Sequence, residues 1–197
     1  MGFDLLCGVS FDLHIERGFL DAAACARVAA EMRAARGAPA TVYGVAESGA
    51  VDERIRRTTR VVASTQTGQL VRRLLTERMS AVGERFGVAL GELEEPQFLR
   101  YDVGGHFVAH QDGNTGLLRS ERESRRVSVV VFLNSQAGSP AAGAYCGGAL
   151  VFHPRGAREP VRLQGEAGAL VAFRAETTHE VEPVTHGERF TIACWYR

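Results

Sequence analysis

The chain has 197 residues, of which 45% are hydrophobic and 23% are charged, so it is long enough to bury a sizeable core, and this composition excludes a disordered or fibrous protein. Its 23 basic and 23 acidic residues cancel. Without a net charge there is no global field to recruit nucleic acid or an anionic membrane, and we expect neither as a partner.

The four cysteines, Cys7, Cys25, Cys146 and Cys194, are widely spaced and form no CxxC pair. This spacing argues against a zinc site and against a disulfide framework, and free thiols fit a reducing cytosol. The N-terminus lacks the basic region of a signal peptide, and no apolar run approaches the roughly 20 residues of a membrane-spanning helix. We therefore expect a soluble, cytoplasmic protein.

Two helices are predicted in the first half of the chain. Asp21 is a suitable N-cap for a helix that runs to about Ala35, with Gly37 as its stop signal. A second helix is predicted from about Gly68 to Phe86, because apolar residues recur there at helical spacing, and Gly87 ends it. We expect residues 1–95 to form a helical scaffold that includes a lid, the polar segment 43–60.

The second half of the chain is predicted to be a run of short strands separated by Gly, Pro and Asn. The predicted strands are residues 97–101, 127–133, 149–153, 169–173, 180–184 and 190–196. Short strands without intervening helices favour an antiparallel barrel or jelly roll, with the helices packed outside it. We therefore predict one mainly β domain over residues 1–197 with its core in 96–197, and a flexible loop over 135–148.

A candidate metal site begins with His110 and Asp112. Alternate residues of an extended segment point to one side, so this imidazole and this carboxylate can share a metal. His179 offers a third ligand, and two histidines with one carboxylate form the facial triad of Fe(II) oxygenases. The rival third ligand is His186, but it lies only three residues from Arg189, so we prefer His179. The alternative is three unrelated polar residues, each with its own hydrogen bond.

Arg189 directly precedes the predicted strand 190–196, which is otherwise apolar. An arginine that points into a barrel needs an anion, and its fork is a natural bidentate partner for a carboxylate such as the remote carboxylate of 2-oxoglutarate. The alternative is a surface arginine that pairs with Glu188.

From about Glu95 to the C-terminus the chain resembles the prolyl 4-hydroxylase-like branch of the 2-oxoglutarate-dependent oxygenases. The matching stretches, in the order of the family, are RYDVGG (100–105), His110-x-Asp112, VVVFLN (129–134), GGALVF (147–152), GALVAF (168–173), and the closing His179, Arg189 and Trp195. The resemblance implies a double-stranded β-helix of the cupin-like jelly-roll type.

The resemblance also implies roles for individual residues. His110, Asp112 and His179 would hold Fe(II), and Arg189 would pair with the distal carboxylate of 2-oxoglutarate, helped by Tyr101 and Thr191. The other implied substrate is O2, with ascorbate as a possible reductant. Many relatives carry a tyrosine where this chain has Phe132, so one hydroxyl contact would be missing, and Tyr101 or Thr191 must cover it.

The implied reaction is the hydroxylation of a prolyl or other peptidyl residue, giving succinate and CO2. Trp195 and Arg57 are candidate substrate-binding residues. In proteins that this chain resembles, the region of residues 43–60 folds over the site. Its arginines 54, 56, 57 and 60 could bind backbone carbonyls of a peptide or the carboxylate of a small acid.

Two alternatives stay open. One is a hydroxylase of a free amino acid or of a natural-product small molecule. The other is a non-catalytic β-barrel module that binds a ligand. The sequence does not determine the oligomeric state.

Overall fold

The computed structural model describes residues 11–42, 50–113, 125–156 and 159–197. Its two helices are α1 (Ala22–Ala34) and α2 (Thr65–Phe86). The predicted cap of α1 is confirmed, since the Asp21 side chain accepts a hydrogen bond from the Ala24 amide at 2.7 Å. Helix α2 begins three residues earlier than predicted, because the Ser64 hydroxyl accepts from the Thr67 amide and caps the helix there.

The strands of the described residues are short and all of their pairings are antiparallel. They are β1 (Leu13–Glu16), β2 (Gly37–Pro39), β3 (Arg56–Arg57), β4 (Thr59–Val61), β5 (Gln97–Tyr101), β6 (His106–His110), β7 (Val127–Phe132), β8 (Cys146–Gly147), β9 (Leu150–Phe152), β10 (Val161–Leu163), β11 (Leu170–Arg174), β12 (His179–Val181), β13 (Val184–His186) and β14 (Arg189–Tyr196).

Two sheets form the barrel. The larger sheet has the order β1-β11-β7-β14-β5-β4-β2, and the smaller has the order β10-β9-β12-β6-β3. One buried cluster joins the inner faces, with Leu99 and Phe173 from the larger sheet and Phe152 and Val181 from the smaller. Two packed antiparallel sheets with crossing connections are the architecture of a jelly roll. The predicted double-stranded β-helix is confirmed.

The helices pack on the outer face of the larger sheet, as expected. The buried residues Met32 of α1 and Leu75 of α2 lie in one apolar cluster with Val129 and Ile192 of the sheet. The Tyr196 hydroxyl donates a hydrogen bond to the Leu75 carbonyl at 2.7 Å, which ties the last strand to α2. The larger sheet of the barrel is therefore supported from behind by both helices.

The first 95 residues, predicted to be a helical scaffold, contain short strands in addition to the two helices. Strands β1 to β4 lie in this half and extend both sheets at their edges. Edge strands of two to four residues carry too little alternation to be recognised from sequence. The predicted lid contains β3 and β4, while residues 43–49 of it lie outside the described residues.

Two further predictions need correction. The predicted strand 180–184 is two strands, because β12 ends at Val181 and β13 begins only after Pro183, which has no amide hydrogen to donate. The loop 135–148, predicted to be flexible, contains β8 and is held across its base by backbone hydrogen bonds between Ala137 and Tyr145 at 2.8 Å and between Tyr145 and Ser135 at 3.2 Å. Neither described helix is long and apolar enough to cross a membrane.

Candidate metal centre and anion pocket

The barrel brings together three side chains that can bind a metal, those of His110, Asp112 and His179. One ligand atom from each lies within 4.8 Å of the others, and the two Nε2 atoms are 3.6 and 3.5 Å from the carboxylate oxygens of Asp112. His110 at the end of β6 is the direct cross-strand partner of His179 at the start of β12, so the strand register brings the two imidazoles together. The rival ligand His186 is exposed on β13 and is not part of this cluster.

Hydrogen bonds determine which nitrogen each imidazole offers. Nδ1 of His110 lies 2.8 Å from the Val108 carbonyl, and Nδ1 of His179 lies 2.9 Å from the Thr177 carbonyl. A carbonyl can only accept, so each Nδ1 carries the proton and each Nε2 presents its lone pair to the centre of the cluster. This is the orientation that a metal-binding histidine requires.

The ionisation states of the cluster also suit a metal ion. Burial opposes ionisation of Asp112, but the two imidazoles and the Ser128 hydroxyl, which donates at 2.7 Å, hold the pKa of this carboxyl well below its usual range. Burial lowers the pKa of His179 to about 4, although the neighbouring carboxylate acts in the opposite direction. An ionised carboxylate and a neutral imidazole are the forms that bind a transition metal. The donor set therefore fits Fe(II).

The cluster lines a cavity of about 300 Å³, and Arg189 lines the same cavity. Arg189 is only 1% exposed, and its Nη1 donates to the Thr191 hydroxyl at 3.2 Å. Its Nε and Nη2 are buried and have no hydrogen-bond partner among the described residues. The alternative of a surface pair with Glu188 does not hold, because that carboxylate pairs with Arg33 at 2.6 Å. A buried guanidinium without a counter-ion is costly, so this pocket is suited to receive an anion.

Three aromatic rings surround the Arg189 guanidinium. Its carbon lies 4.9 Å from the ring centre of Tyr101, 5.1 Å from that of Phe132 and 5.9 Å from that of Tyr145. Among the described residues, no group forms a hydrogen bond of standard geometry with the buried Tyr145 hydroxyl. Burial raises the pKa of Tyr145, although the charge of Arg189 and a polar contact with its guanidinium act against this. The hydroxyl is therefore a neutral donor beside the free nitrogens of Arg189.

Sequence reasoning missed Tyr145 and gave the missing hydroxyl contact to Tyr101 or Thr191. The available signal was a lone tyrosine among small residues in the loop 135–148. The glycines that follow it allow the loop to approach the barrel. Gly148 has a φ of +63°, and a Cβ there would lie 3.1 Å from Arg189 and 3.3 Å from the Tyr145 ring.

Tyr101, Thr191 and Trp195, to which the resemblance assigns co-substrate or substrate binding, all line the cavity. The Trp195 ring lies under the Arg125 guanidinium, 3.7 Å from ring centre to carbon, and its buried Nε1 has no hydrogen-bond partner. Arg125 is already neutralised, since it donates to both carboxylate oxygens of Glu94 at 2.8 Å.

The structure does not bring Arg57 into the cavity. Its guanidinium approaches Gly104 in a separate surface depression. The adjacent Arg56 lines the cavity instead. Neighbouring residues of a strand point to opposite faces, and β3 is too short for its sequence to reveal which of its two arginines points inward.

Comparison with known proteins agrees with this geometry. Residues 96–197 match the 2OG-Fe(II) oxygenase superfamily. Over 102 residues the chain is 36% identical to a PKHD-type hydroxylase of Paracoccus denitrificans, and the match covers 51% of this chain and 41% of that protein. The chain thus spans about two fifths of the length of this relative.

Two solved structures are similar along almost the whole chain. A prolyl-4-hydroxylase of Pseudomonas putida has a TM-score of 0.70 and 25% identity, covering 95% of this chain and 94% of that one. A prolyl hydroxylase of Trichoplax adhaerens, solved with a peptide fragment of the hypoxia inducible factor oxygen degradation domain, has a TM-score of 0.71 and 18% identity, covering 95% and 84%. The second likeness shows the fold alone.

Proposed function

The chain belongs to the 2OG-Fe(II) oxygenase superfamily, and on that premise we propose that it is an Fe(II)- and 2-oxoglutarate-dependent hydroxylase. The observation that carries the proposal is that a cluster of two histidines and one carboxylate shares one cavity with a buried arginine that lacks a counter-ion. A non-catalytic binding module would have no need of all four residues.

His110, Asp112 and His179 would hold the metal through their two Nε2 atoms and one carboxylate oxygen. Bound Fe(II) supplies the redox chemistry by which O2 and 2-oxoglutarate give succinate, CO2 and a hydroxylated product. The carbonyls of Val108 and Thr177 keep both imidazoles in the required tautomer, and Ser128 orients the carboxylate. Because all three ligands are fixed by second contacts, they are preorganised for the metal.

Arg189 would bind the distal carboxylate of 2-oxoglutarate through its free Nε and Nη2 atoms. Thr191 holds the guanidinium in place, and the Tyr101 and Phe132 rings cover it from water. We propose that the Tyr145 hydroxyl also contacts this carboxylate, in place of the family tyrosine that Phe132 replaces. The buried oxygen of Tyr145 otherwise has no hydrogen-bond partner among the described residues. Of these side chains, Tyr101 and Thr191 line the cavity together with Arg189.

The substrate that we propose is a prolyl or other peptidyl residue. The support is the likeness to the prolyl-4-hydroxylase of Pseudomonas putida and to the peptide-bound Trichoplax enzyme. Trp195 would line the position of the substrate, because it closes the cavity on β14. A free amino acid or small molecule is the second candidate, favoured by the cavity of only about 300 Å³. We also propose a cytoplasmic location, since the three described cysteines are free thiols.

An anaerobic titration with Fe(II) and 2-oxoglutarate, followed by a succinate assay in air, tests the proposal. We expect 2-oxoglutarate to bind only after the metal and succinate to form. His179→Ala should abolish both, because a triad without one ligand binds iron poorly, whereas the control His186→Ala should retain both. Turnover in the His179→Ala protein at the wild-type level, or loss of turnover only in His186→Ala, would overturn the ligand assignment.

A further inference from the structure

A second buried arginine in the cavity has no counter-ion. Arg56 lines the cavity together with Arg189, and it is 9% exposed. Among the described residues neither forms an ion pair with a carboxylate. The third arginine of the cavity, Arg125, is paired with Glu94. Since an unpaired buried charge is costly, a cavity with two such arginines is suited to two separate anionic groups.

The position of Arg56 is set by the smaller sheet. Its partner in the register of β3 and β6 is Phe107, and the Arg56 guanidinium carbon lies 4.8 Å from the centre of the Phe107 ring. The same ring stacks on His110 with 3.6 Å between centres. The Phe107 ring therefore contacts both Arg56 and a candidate metal ligand.

The guanidinium of Arg56 is only partly satisfied by the protein. Its Nη1 donates to the Thr41 carbonyl at 3.2 Å, which holds the side chain in place. Its Nε is buried and has no hydrogen-bond partner. A fixed guanidinium with a free nitrogen inside a cavity is a preorganised site for an oxygen anion.

The two carboxylates of 2-oxoglutarate do not account for Arg56. Under the proposed function one of them belongs to the metal and the other to Arg189. The carboxylate of Asp112 is already directed to the metal cluster. Among the described residues that line the cavity, the cation that remains is Arg56, and the group that remains to be bound is the substrate.

We propose that Arg56 binds a carboxylate of the substrate, so that the enzyme hydroxylates carboxylate-bearing molecules. This inference rests on the proposed function and narrows its substrate class. The carboxylate is either that of a free acid, such as an amino acid or an N-acylated one, or that of an acidic residue in a peptide. Both sources present the same bidentate oxygen pair to the guanidinium.

Matched pairs of acid and amide probes test the proposal on the anaerobic protein loaded with Fe(II) and 2-oxoglutarate. The first set contains the N-acetyl derivatives of the proteinogenic amino acids, each as the free acid and as the primary amide. The second set contains acetylated, amidated tripeptides with a central proline followed by Asp or by Asn. Binding is measured by calorimetry without O2. Turnover is measured after air is admitted, by the succinate formed above the level without probe.

We expect at least one acid in one set to bind about 10- to 100-fold more tightly than its amide, as loss of a charge-assisted contact predicts. Tighter binding of the acid than of the amide in the first set would identify the substrate as a free acid. The same result in the second set would identify it as an acidic peptide. Arg56→Met should erase the preference while 2-oxoglutarate binding stays intact. The control Arg57→Met should retain the preference, because it removes a charge that is adjacent to Arg56 in sequence but lies outside the cavity.

Three results would overturn the proposal. The first is that no acid binds more tightly than its amide in either set, and the second is that the preference survives in Arg56→Met. The third is that Arg57→Met erases the preference as fully as Arg56→Met does. Failure of the wild-type protein to bind 2-oxoglutarate at all would instead contradict the proposed function, and the initial titration separates the two cases.

Discussion

At Tyr145 the fold leaves a phenol hydroxyl buried without a hydrogen-bond partner beside the Arg189 guanidinium. A buried donor that stays unsatisfied costs about 1–3 kcal/mol. A carboxylate bound between the hydroxyl and the arginine would offset that cost. We therefore interpret these two neighbouring unsatisfied groups as part of the proposed anion site.

Tyr145→Phe tests this role. We expect the KM for 2-oxoglutarate to rise about 10-fold or more, since the variant removes one hydrogen bond to a charged group. The turnover rate at saturating 2-oxoglutarate should change little, because the metal ligands are untouched.

The control for this prediction is Tyr196→Phe. The Tyr196 hydroxyl is also buried, but it donates to the Leu75 carbonyl away from the cavity. This variant should lower the free energy of unfolding by about 1 kcal/mol and leave the KM for 2-oxoglutarate unchanged. A wild-type KM in Tyr145→Phe would show that this hydroxyl has no part in co-substrate binding.

At the scale of elements, the pairing of β6 with β12 assembles most of the metal site. His110 and His179 are direct partners across the two strands, and the register shifts immediately after His179. A β-bulge of this kind re-aims one side chain while the rest of the strand stays paired. The two ligands therefore depend on strand pairing between segments that lie far apart in the chain.

Helix α2 offers a matched pair of glycines for a stability test. Gly87 ends the helix with a φ of +63°, whereas Gly68 lies in the first turns with nothing within 4 Å of an added Cβ. We expect Gly87→Ala to lower the free energy of unfolding by about 1 kcal/mol, because an L-residue is strained there. Gly68→Ala should raise it by up to about 1 kcal/mol, because alanine favours helix.

Urea unfolding monitored by circular dichroism measures both effects. Gly68 lies within α2 and Gly87 is its C-cap, and neither lines the cavity. Neither variant should therefore change 2-oxoglutarate binding. Equal effects of the same sign would mean that the left-handed end of α2 does not contribute to stability.

At the scale of the whole molecule, Glu94 joins three parts of the chain. It follows α2 and binds Arg125, just before β7, and Arg197, just after β14, with contacts of 2.8 to 2.9 Å. Burial opposes its ionisation, but the two guanidinium groups outweigh this and hold the pKa of the carboxyl below its ordinary value. A carboxyl whose pKa is lowered by folding contributes stability above the pKa of the unfolded chain.

The contribution of Glu94 should therefore be complete above about pH 4.5 and disappear as the pH falls through the lower pKa of the folded state. We expect Glu94→Gln to lower the free energy of unfolding by about 1.5–3 kcal/mol at pH 7. The difference from the wild type should shrink in acid. Unfolding curves at several pH values measure this difference in the free energy of unfolding. If the difference does not depend on pH, the stabilisation by Glu94 comes from packing and not from its charge.

The sequence by itself was sufficient for the features that depend on local pattern. Short runs of β-branched residues between turn residues predicted the jelly roll, and the spacing of His110 and Asp112 predicted that they can share a metal, although β6 ends at His110. An arginine at the start of an apolar strand predicted a buried cation that needs an anion, and Arg189 is buried without a counter-ion. These features depend only on the few residues around them.

Only the tertiary structure decided which side chains reach the cavity from its edges. Strands β3 and β4 are too short to show alternation, so it is pairing with β6 that turns Arg56 inward and Arg57 outward. Tyr145 reaches Arg189 because its loop folds back over the end of the barrel, held by backbone hydrogen bonds that its own sequence does not specify. The physical reason is the same in both cases: the orientation of a side chain in a short or irregular segment is set by the distant strands that bind its backbone.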